Sequence, residues 1–173
     1  ALYLPYITEY TVNAGLGQAE AARQLVEYCN GAADTPQGRL REANASTPRV
    51  KRIEEFVSDV RPPGFAVRFW GIGNEMYGDW QLGHMPVGRY VEKHNEFARA
   101  MRAADPSIEI IGVGEVGPWD EAMLTHCADS MTYLSEHIYV QERPSLWAHS
   151  RLLANAIRAK ADRHRDYRKR LPS

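Results

Sequence analysis

Cysteine is almost absent from the 173-residue chain, which holds only Cys29 and Cys127. Each lies among apolar residues in a helix-like stretch, so two buried thiols are expected and a disulfide framework is not. Long hydrophobic runs are missing too. Without about 18 consecutive apolar residues there is no membrane-spanning helix to expect. The start Ala1-Leu2-Tyr3-Leu4-Pro5 has neither the basic flank nor the apolar length of a signal peptide, which says little about secretion in a chain without its natural start; a cytoplasmic location without a membrane partner is the expectation. A start without Met inside a strand-like run suggests an internal piece of a longer protein. An excess of one charge is also lacking. Lys and Arg number 21 against 22 Asp and Glu, a formal charge of -1, which removes the electrostatic argument for nucleic acid. A neutral partner such as a sugar fits better. The six histidines show no ligand-like spacing and no HExxH or paired CxxC occurs, so no metal site is expected. Gly15 and Gly17 are too sparse for a dinucleotide fingerprint.

What is present is an alternation of strand-like and helix-like segments in a composition, 44% hydrophobic and 25% charged, able to bury one core. Tyr6 to Asn13 is rich in β-branched and aromatic residues and runs into Gly15 and Gly17, as a strand and its exit loop do. From Gln18 to Asn30 the positions Ala21, Leu25, Val26, Tyr28 and Cys29 recur at helical spacing, and Asn30-Gly31 supplies a stop. Ala32 to Pro48 reads as a polar loop or insertion with about one helical turn. Ile53, Phe56, Val57 and Val60 form a short amphipathic stripe that Arg61-Pro62-Pro63-Gly64 terminates. A second strand, Phe65 to Gly73, leads through a loop to a helix with Val87, Tyr90, Val91, His94, Phe97, Ala98 and Met101 on one face. A third strand (Ile108 to Gly114), a short helix (Trp119 to Cys127), a fourth strand (Tyr133 to Tyr139) and a long helix from about Ser145 to Arg170 follow. The basic run Arg158 to Arg170 reads as a solvated helix face, because Ala154, Ile157 and Ala161 keep the apolar spacing.

Apolar, non-alternating strands between helices point to the α/β class with a parallel sheet. A full (β/α)8 barrel takes eight strands and about 250 residues. Four strand and helix pairs therefore leave an open sheet or a partial (β/α)8 barrel.

Chemistry concentrates at Asn74-Glu75, a carboxylate at the end of a buried strand that enters a loop rich in Gly and Trp. Glycoside hydrolysis needs a carboxyl to protonate the leaving oxygen and, in the retaining mode, a second carboxylate about 5 to 5.5 Å away. Glu75 is the candidate acid/base. Asn74 is placed to bind a sugar 2-OH, and Trp80 and Trp70 offer flat surfaces for ring stacking. The plainer alternative is a capping Asn74 with an exposed loop carboxylate. Glu115, just past the third strand, and Glu136, inside the fourth, lie on adjacent strands about 4.8 Å apart and are weighed as substitute nucleophiles. Glu136 alternates with His137 and so points the other way. His137 suits either a sugar site or a buried core, and His84 either the acceptor side of such a site or, the favoured reading, a structural role in its loop.

Trp70-Gly71-Ile72-Gly73-Asn74-Glu75-Met76-Tyr77-Gly78-Asp79-Trp80-Gln81-Leu82-Gly83-His84-Met85 resembles the acid/base signature of glycoside hydrolase family 51. The resemblance continues through Val12 to Gly17, Glu27 to Gly31, His94 to Ala98 and Ser135-Glu136-His137-Ile138-Tyr139. It implies strands 3 to 6 of a catalytic barrel in an α-L-arabinofuranosidase, a single barrel domain over residues 1–173 truncated at both ends. By position it implies Glu75 as acid/base, with Asn74, Trp80, His137 and Tyr139 around the sugar. It implies no cofactor, an arabinose-containing oligosaccharide or polysaccharide as partner, and a homo-oligomer as one outcome of open strand edges. The family nucleophile, in an Asp-Glu-Trp-Asn type motif on strand 7, has no counterpart in the chain. The alternatives kept open are an endoglucanase or related barrel glycosidase, and a non-catalytic carbohydrate-binding or structural α/β unit.

Overall fold

A computed structural model describes residues 9–45 and 66–171. The amphipathic stripe from Ile53 to Val60, its proline stop and the first residues of the expected first strand lie outside the described residues. The elements are β1 (Glu9–Val12), α1 (Ala19–Asn30), α2 (Pro36–Ala45), β2 (Phe69–Ile72), α3 (Val87–Ala104), β3 (Glu109–Val113), α4 (Pro118–His126), β4 (Tyr133–Ser135) and α5 (Leu146–Arg170).

Each strand pairs in parallel with the next strand in the chain, in the order β1-β2-β3-β4. Val12 is level with Ile72, Trp70 with Ile110 and Val113 with Ser135. A doubly wound sheet reverses its strand order at a switch point. This sheet does not reverse, which is how a (β/α)8 barrel is assembled. Of the two readings open in the sequence, the partial barrel is the one that stands.

The core is the one that the periodicities outline. Trp70 and Ile72 of β2, Ile110 of β3, Val26 of α1, Met101 of α3 and Met123 of α4 are all fully buried. Each such side chain contributes about 1.5 to 3 kcal/mol by leaving water. On α3 the buried positions Tyr90, His94, Phe97, Ala98 and Met101 follow helical spacing, and α1 and α3 pack against each other. Trp70 donates its indole N–H to the Val67 carbonyl at 2.9 Å, so its burial strands no polar group. That burial removes Trp70 as a stacking surface: it is a core residue. Cys29 and Cys127 are free and buried, as expected.

Several boundaries differ from the sequence expectation, among them that of β2, which begins at Phe69 and not at Phe65. Residues 36–45 form a helix instead of a loop. Its residues PQGRLREANA carry no apolar stripe to announce it, and it is held by polar contacts to α1. The buried Arg41 donates to the carbonyls of Tyr28 and Gly31, both at 2.8 Å, which satisfies the open end of α1. Glu27 in turn accepts from the Gln37 N–H at 3.3 Å. β4 ends at Ser135 and not at Tyr139, because its partner β3 ends at Val113 and leaves no further ladder to pair with. The short α4 begins with Pro118 at its first turn and stops at His126.

Of all α5 only Tyr167 is buried, while Leu146, Trp147, Leu153 and Ile157 are exposed. Ser145 caps the helix by accepting from the Ala148 N–H at 3.2 Å. Its basic end is solvated and locally paired, as with Arg170 on Asp166 and Glu121. Among the described residues no helix is long and apolar enough to cross a membrane.

Candidate active site

The site begins where β2 leaves the sheet. Gly73 N–H donates to the Val12 carbonyl at 2.9 Å and extends the β1 ladder by one residue. Its φ is +78°, and a Cβ there would lie 2.7 Å from Met76 Cγ, so glycine is required on two counts. Two residues later Glu75 also takes the left-handed conformation, with φ +46°. A side-chain-bearing residue held there stores about 1 to 3 kcal/mol and persists only where its surroundings over-determine it. Those surroundings are a tight turn, with Gly78 N–H on the Glu75 carbonyl at 2.8 Å, and Tyr90 from α3. The Tyr90 hydroxyl donates to the Ile72 carbonyl at 2.6 Å and accepts from the Val113 N–H at 3.0 Å. It ties the exits of β2 and β3 together.

The Glu75 side chain is nearly closed off, the residue being 6% exposed. The Tyr139 hydroxyl donates to its Oε1. His137 Nδ1 lies 2.7 Å from the same oxygen, and the Trp80 indole N–H donates to Oε2 at 2.9 Å. A carboxylate can only accept, so all three are donors that favour the charged form. Tyr139, then His137, then Trp80 hold the Glu75 carboxyl down at about 2, against an ordinary value of 4.5 and against the opposing effect of burial. The Tyr139 hydroxyl is raised in return, chiefly by the same hydrogen bond.

Behind the carboxylate stands an aromatic wall. Tyr77 meets Trp80 and Trp119 edge-on, with centroids 6.2 and 5.7 Å away, and Trp119 stacks on Tyr90 at 5.2 Å. Trp119 is pinned by its indole N–H on the Val113 carbonyl at 2.8 Å. Trp80 is 66% exposed, so a ring face remains open to a ligand even while its N–H serves Glu75.

Four residues singled out in the sequence therefore converge: Glu75, Trp80, His137 and Tyr139. Asn74 is exposed beside them. His84 is exposed, with Nδ1 3.2 Å from the Gln81 carbonyl inside its own loop. Neither weighed substitute nucleophile is among the partners of Glu75. Glu136 faces α5, where Lys160 Nζ donates to its Oε2 at 2.6 Å and His164 Nε2 lies 2.9 Å from its Oε1. Glu115 offers its backbone N–H to Asp120 Oδ1 at 2.8 Å.

That second cluster, Asp120 with Glu136, Lys160 and His164, escaped the sequence reading. Asp120 sits in the first turn of α4 and is fully buried. Burial pushes its carboxyl up, to about 7, and the neighbouring Glu136 carboxylate adds to the effect. For Glu136 burial acts in the same upward direction, but hydrogen bonds to Asp120, Lys160 and His164 outweigh it and the group is held low. Strand alternation signals only that Glu136 and His137 face opposite ways. Lys160 and His164, four apart on α5, share a helix face with many other pairs of the chain.

A parallel barrel segment with an enclosed carboxylate at the carboxyl ends of its strands has its polar groups where such barrels build their sites. The family model described as the α-L-arabinofuranosidase 1 domain matches residues 11–169, and the chain belongs to that family, the arabinofuranosidases of glycoside hydrolase family 51. A probable α-L-arabinofuranosidase C of Aspergillus fumigatus is 32% identical over 120 residues, 68% of this chain and 21% of that protein. An intracellular exo-α-(1→5)-L-arabinofuranosidase of Bacillus subtilis is 31% identical over 144 residues, 76% of this chain and 25% of that protein. The solved α-L-arabinofuranosidase of Thermotoga maritima, in its arabinose complex, superposes with a TM-score of 0.64 at 34% identity, over 76% of this chain and 24% of that one. The chain thus spans about a fifth to a quarter of the length of these relatives.

Proposed function

We propose that the chain supplies the acid/base part of a retaining α-L-arabinofuranosidase that releases terminal arabinofuranosyl units from arabinan or arabinoxylan oligosaccharides. The observation that carries this reading is the enclosed Glu75 carboxylate, ringed by Trp80, His137 and Tyr139 at the end of β2. Family membership and the names of the relatives point to the sugar. The intracellular Bacillus relative favours a cytoplasmic location for the whole protein.

In the first half-reaction Glu75 donates a proton to the leaving oxygen as a second carboxylate attacks the anomeric carbon. In the second it takes a proton from the water that opens the glycosyl-enzyme. Held at about 2, Glu75 is poised for the second task and not the first. Delivering a proton near neutral pH requires its pKa to rise, and a like charge about 5 to 5.5 Å away does that. The nucleophile carboxylate, expected from strand 7 of the whole protein, is that charge. Asn74, exposed next to Glu75, is the ligand for the sugar 2-OH, and the open face of Trp80 is the surface on which the substrate stacks.

With no second carboxylate among the described partners of Glu75, the 173-residue chain by itself is expected to show no turnover. In the whole protein, Glu75→Gln should lower kcat on arabino-oligosaccharides by about 10²- to 10⁴-fold. Unchanged hydrolysis in that variant would remove Glu75 from the mechanism, and activity toward glucan alone would replace the arabinofuranosidase reading with the endoglucanase one.

A further inference from the structure

We infer that Asp120, Glu136 and His164 form a binding site for one divalent transition-metal ion of the zinc class, on the side of the β4 exit opposite Glu75. Ligand atoms of the three residues all lie within 4.8 Å of one another. His164 Nε2 is 2.9 Å from Glu136 Oε1 and 3.7 Å from Asp120 Oδ2. Two ligands at about 2.0 to 2.2 Å from a tetrahedral zinc ion stand about 3.4 Å apart, and the two measured separations straddle that distance. Binding one ion requires the Glu136–His164 pair to open and the Asp120–His164 pair to close, each by less than about 1 Å.

The second observation is independent of the grouping. Asp120 Oδ2 is fully buried and, among the described residues, accepts no hydrogen bond, with His164 Nε2 still 3.7 Å away. A buried carboxylate oxygen without a partner is costly, and this one faces the other two ligands. The supports around the ligands are those that a metal site needs to hold its geometry. Asp120 Oδ1 is fixed by the Glu115 N–H, Glu136 Oε2 by Lys160, and the His164 ring by an edge contact with Tyr167 at 5.5 Å. Lys160 occupies Oε2 of Glu136, while Oε1 is bonded to His164 Nε2 at 2.9 Å, a contact that the ion replaces as that ring nitrogen gives up its proton.

The three ligands come from α4, the β4 exit and α5, so a bound ion ties α5, which buries little of itself, to the strand end that presents His137 and Tyr139. Its role is positional, and the site would form whatever reaction Glu75 serves.

Titration of the full chain with Co(II), followed by its visible d–d spectrum, tests this. The expected result is one equivalent bound with the spectrum of a four-coordinate ion, displaced by Zn(II). Asp120→Asn and His164→Gln should each weaken binding by about tenfold or more, while His126→Gln, at an exposed position, should leave it unchanged. His164 is only partly buried, so its variant retains the fold and keeps the comparison valid even where Asp120→Asn does not. No saturable one-to-one binding, or binding that survives loss of His164, overturns the assignment.

Discussion

Glu75 and Asp120 are both buried carboxylates near the carboxyl ends of neighbouring parallel strands, yet their surroundings push them in opposite directions. Three donors close on Glu75 and hold it down at about 2. Among the described residues Asp120 accepts from one backbone N–H and has another carboxylate beside it, and burial pushes it up to about 7. Burial alone does not decide the charge of a carboxyl: the count of donors aimed at it does. The chain turns at β4 between these two environments, with His137 and Tyr139 on the Glu75 side and Glu136 on the other.

Removing what the two sites share should have the largest effect. Tyr90→Phe leaves the Ile72 carbonyl and the Val113 N–H unpaired in the core, at the roots of both exits. A loss of about 1 to 3 kcal/mol of stability is expected in urea or thermal unfolding. A loss near zero would show that Tyr90 does not frame the sites. Next in size is a change that makes Glu75 resemble Asp120. Tyr139→Phe deletes the strongest donor, and the Glu75 carboxyl should climb from about 2 toward 4.5 in a carbon NMR titration while Asp120 stays where it is.

The pH dependence of stability separates the pair further. Glu75, depressed from 4.5 to about 2, contributes stability that is present above pH 4.5 and is lost as pH falls through 2. Asp120, raised from 3.8 to about 7, contributes stability that is present below pH 3.8 and is lost as pH rises through 7. Asp120→Asn should therefore flatten the decline in thermal midpoint between about pH 4 and 7 in metal-free protein. A decline as steep as that of the unaltered chain would assign it to another group. The smallest effect is expected where pairing occurs without burial. Arg165→Ala removes an ion pair to Asp162 in which both side chains are more than 60% exposed, and should change stability by no more than about 1 kcal/mol.

The strand and helix order was legible because apolar periodicity reports burial, as on α3 from Tyr90 to Met101. α2 was not legible, because it is held by Arg41 and Glu27 reaching across to or from α1 and not by an apolar face of its own. Periodicity alone could not separate open sheet from partial barrel, since strand order is a property of pairing, and only the family resemblance pointed to the barrel. At the site, Glu75 and Trp80 were legible through their context at the end of a strand, His137 only as one of two readings, and Tyr139 only through the family resemblance. Their meeting depends on contacts 62 and 64 residues apart in the chain, which spacing alone does not report. Trp70 and Trp80 look alike in the sequence, and only packing shows that one is core and the other open. The grouping of Asp120, Glu136 and His164 was missed for the same reason: three elements supply one residue each.

The most direct test of the acid/base role is the leaving-group dependence of Glu75→Ala in the whole protein, measured with aryl α-L-arabinofuranosides. A leaving group that departs readily as an anion needs no proton, whereas an alcohol-like one does. The prediction is a kcat/KM close to that of the unaltered enzyme for the most acidic phenols and a loss of about 10²- to 10⁴-fold for the least acidic. An equal loss across the series would contradict proton donation by Glu75.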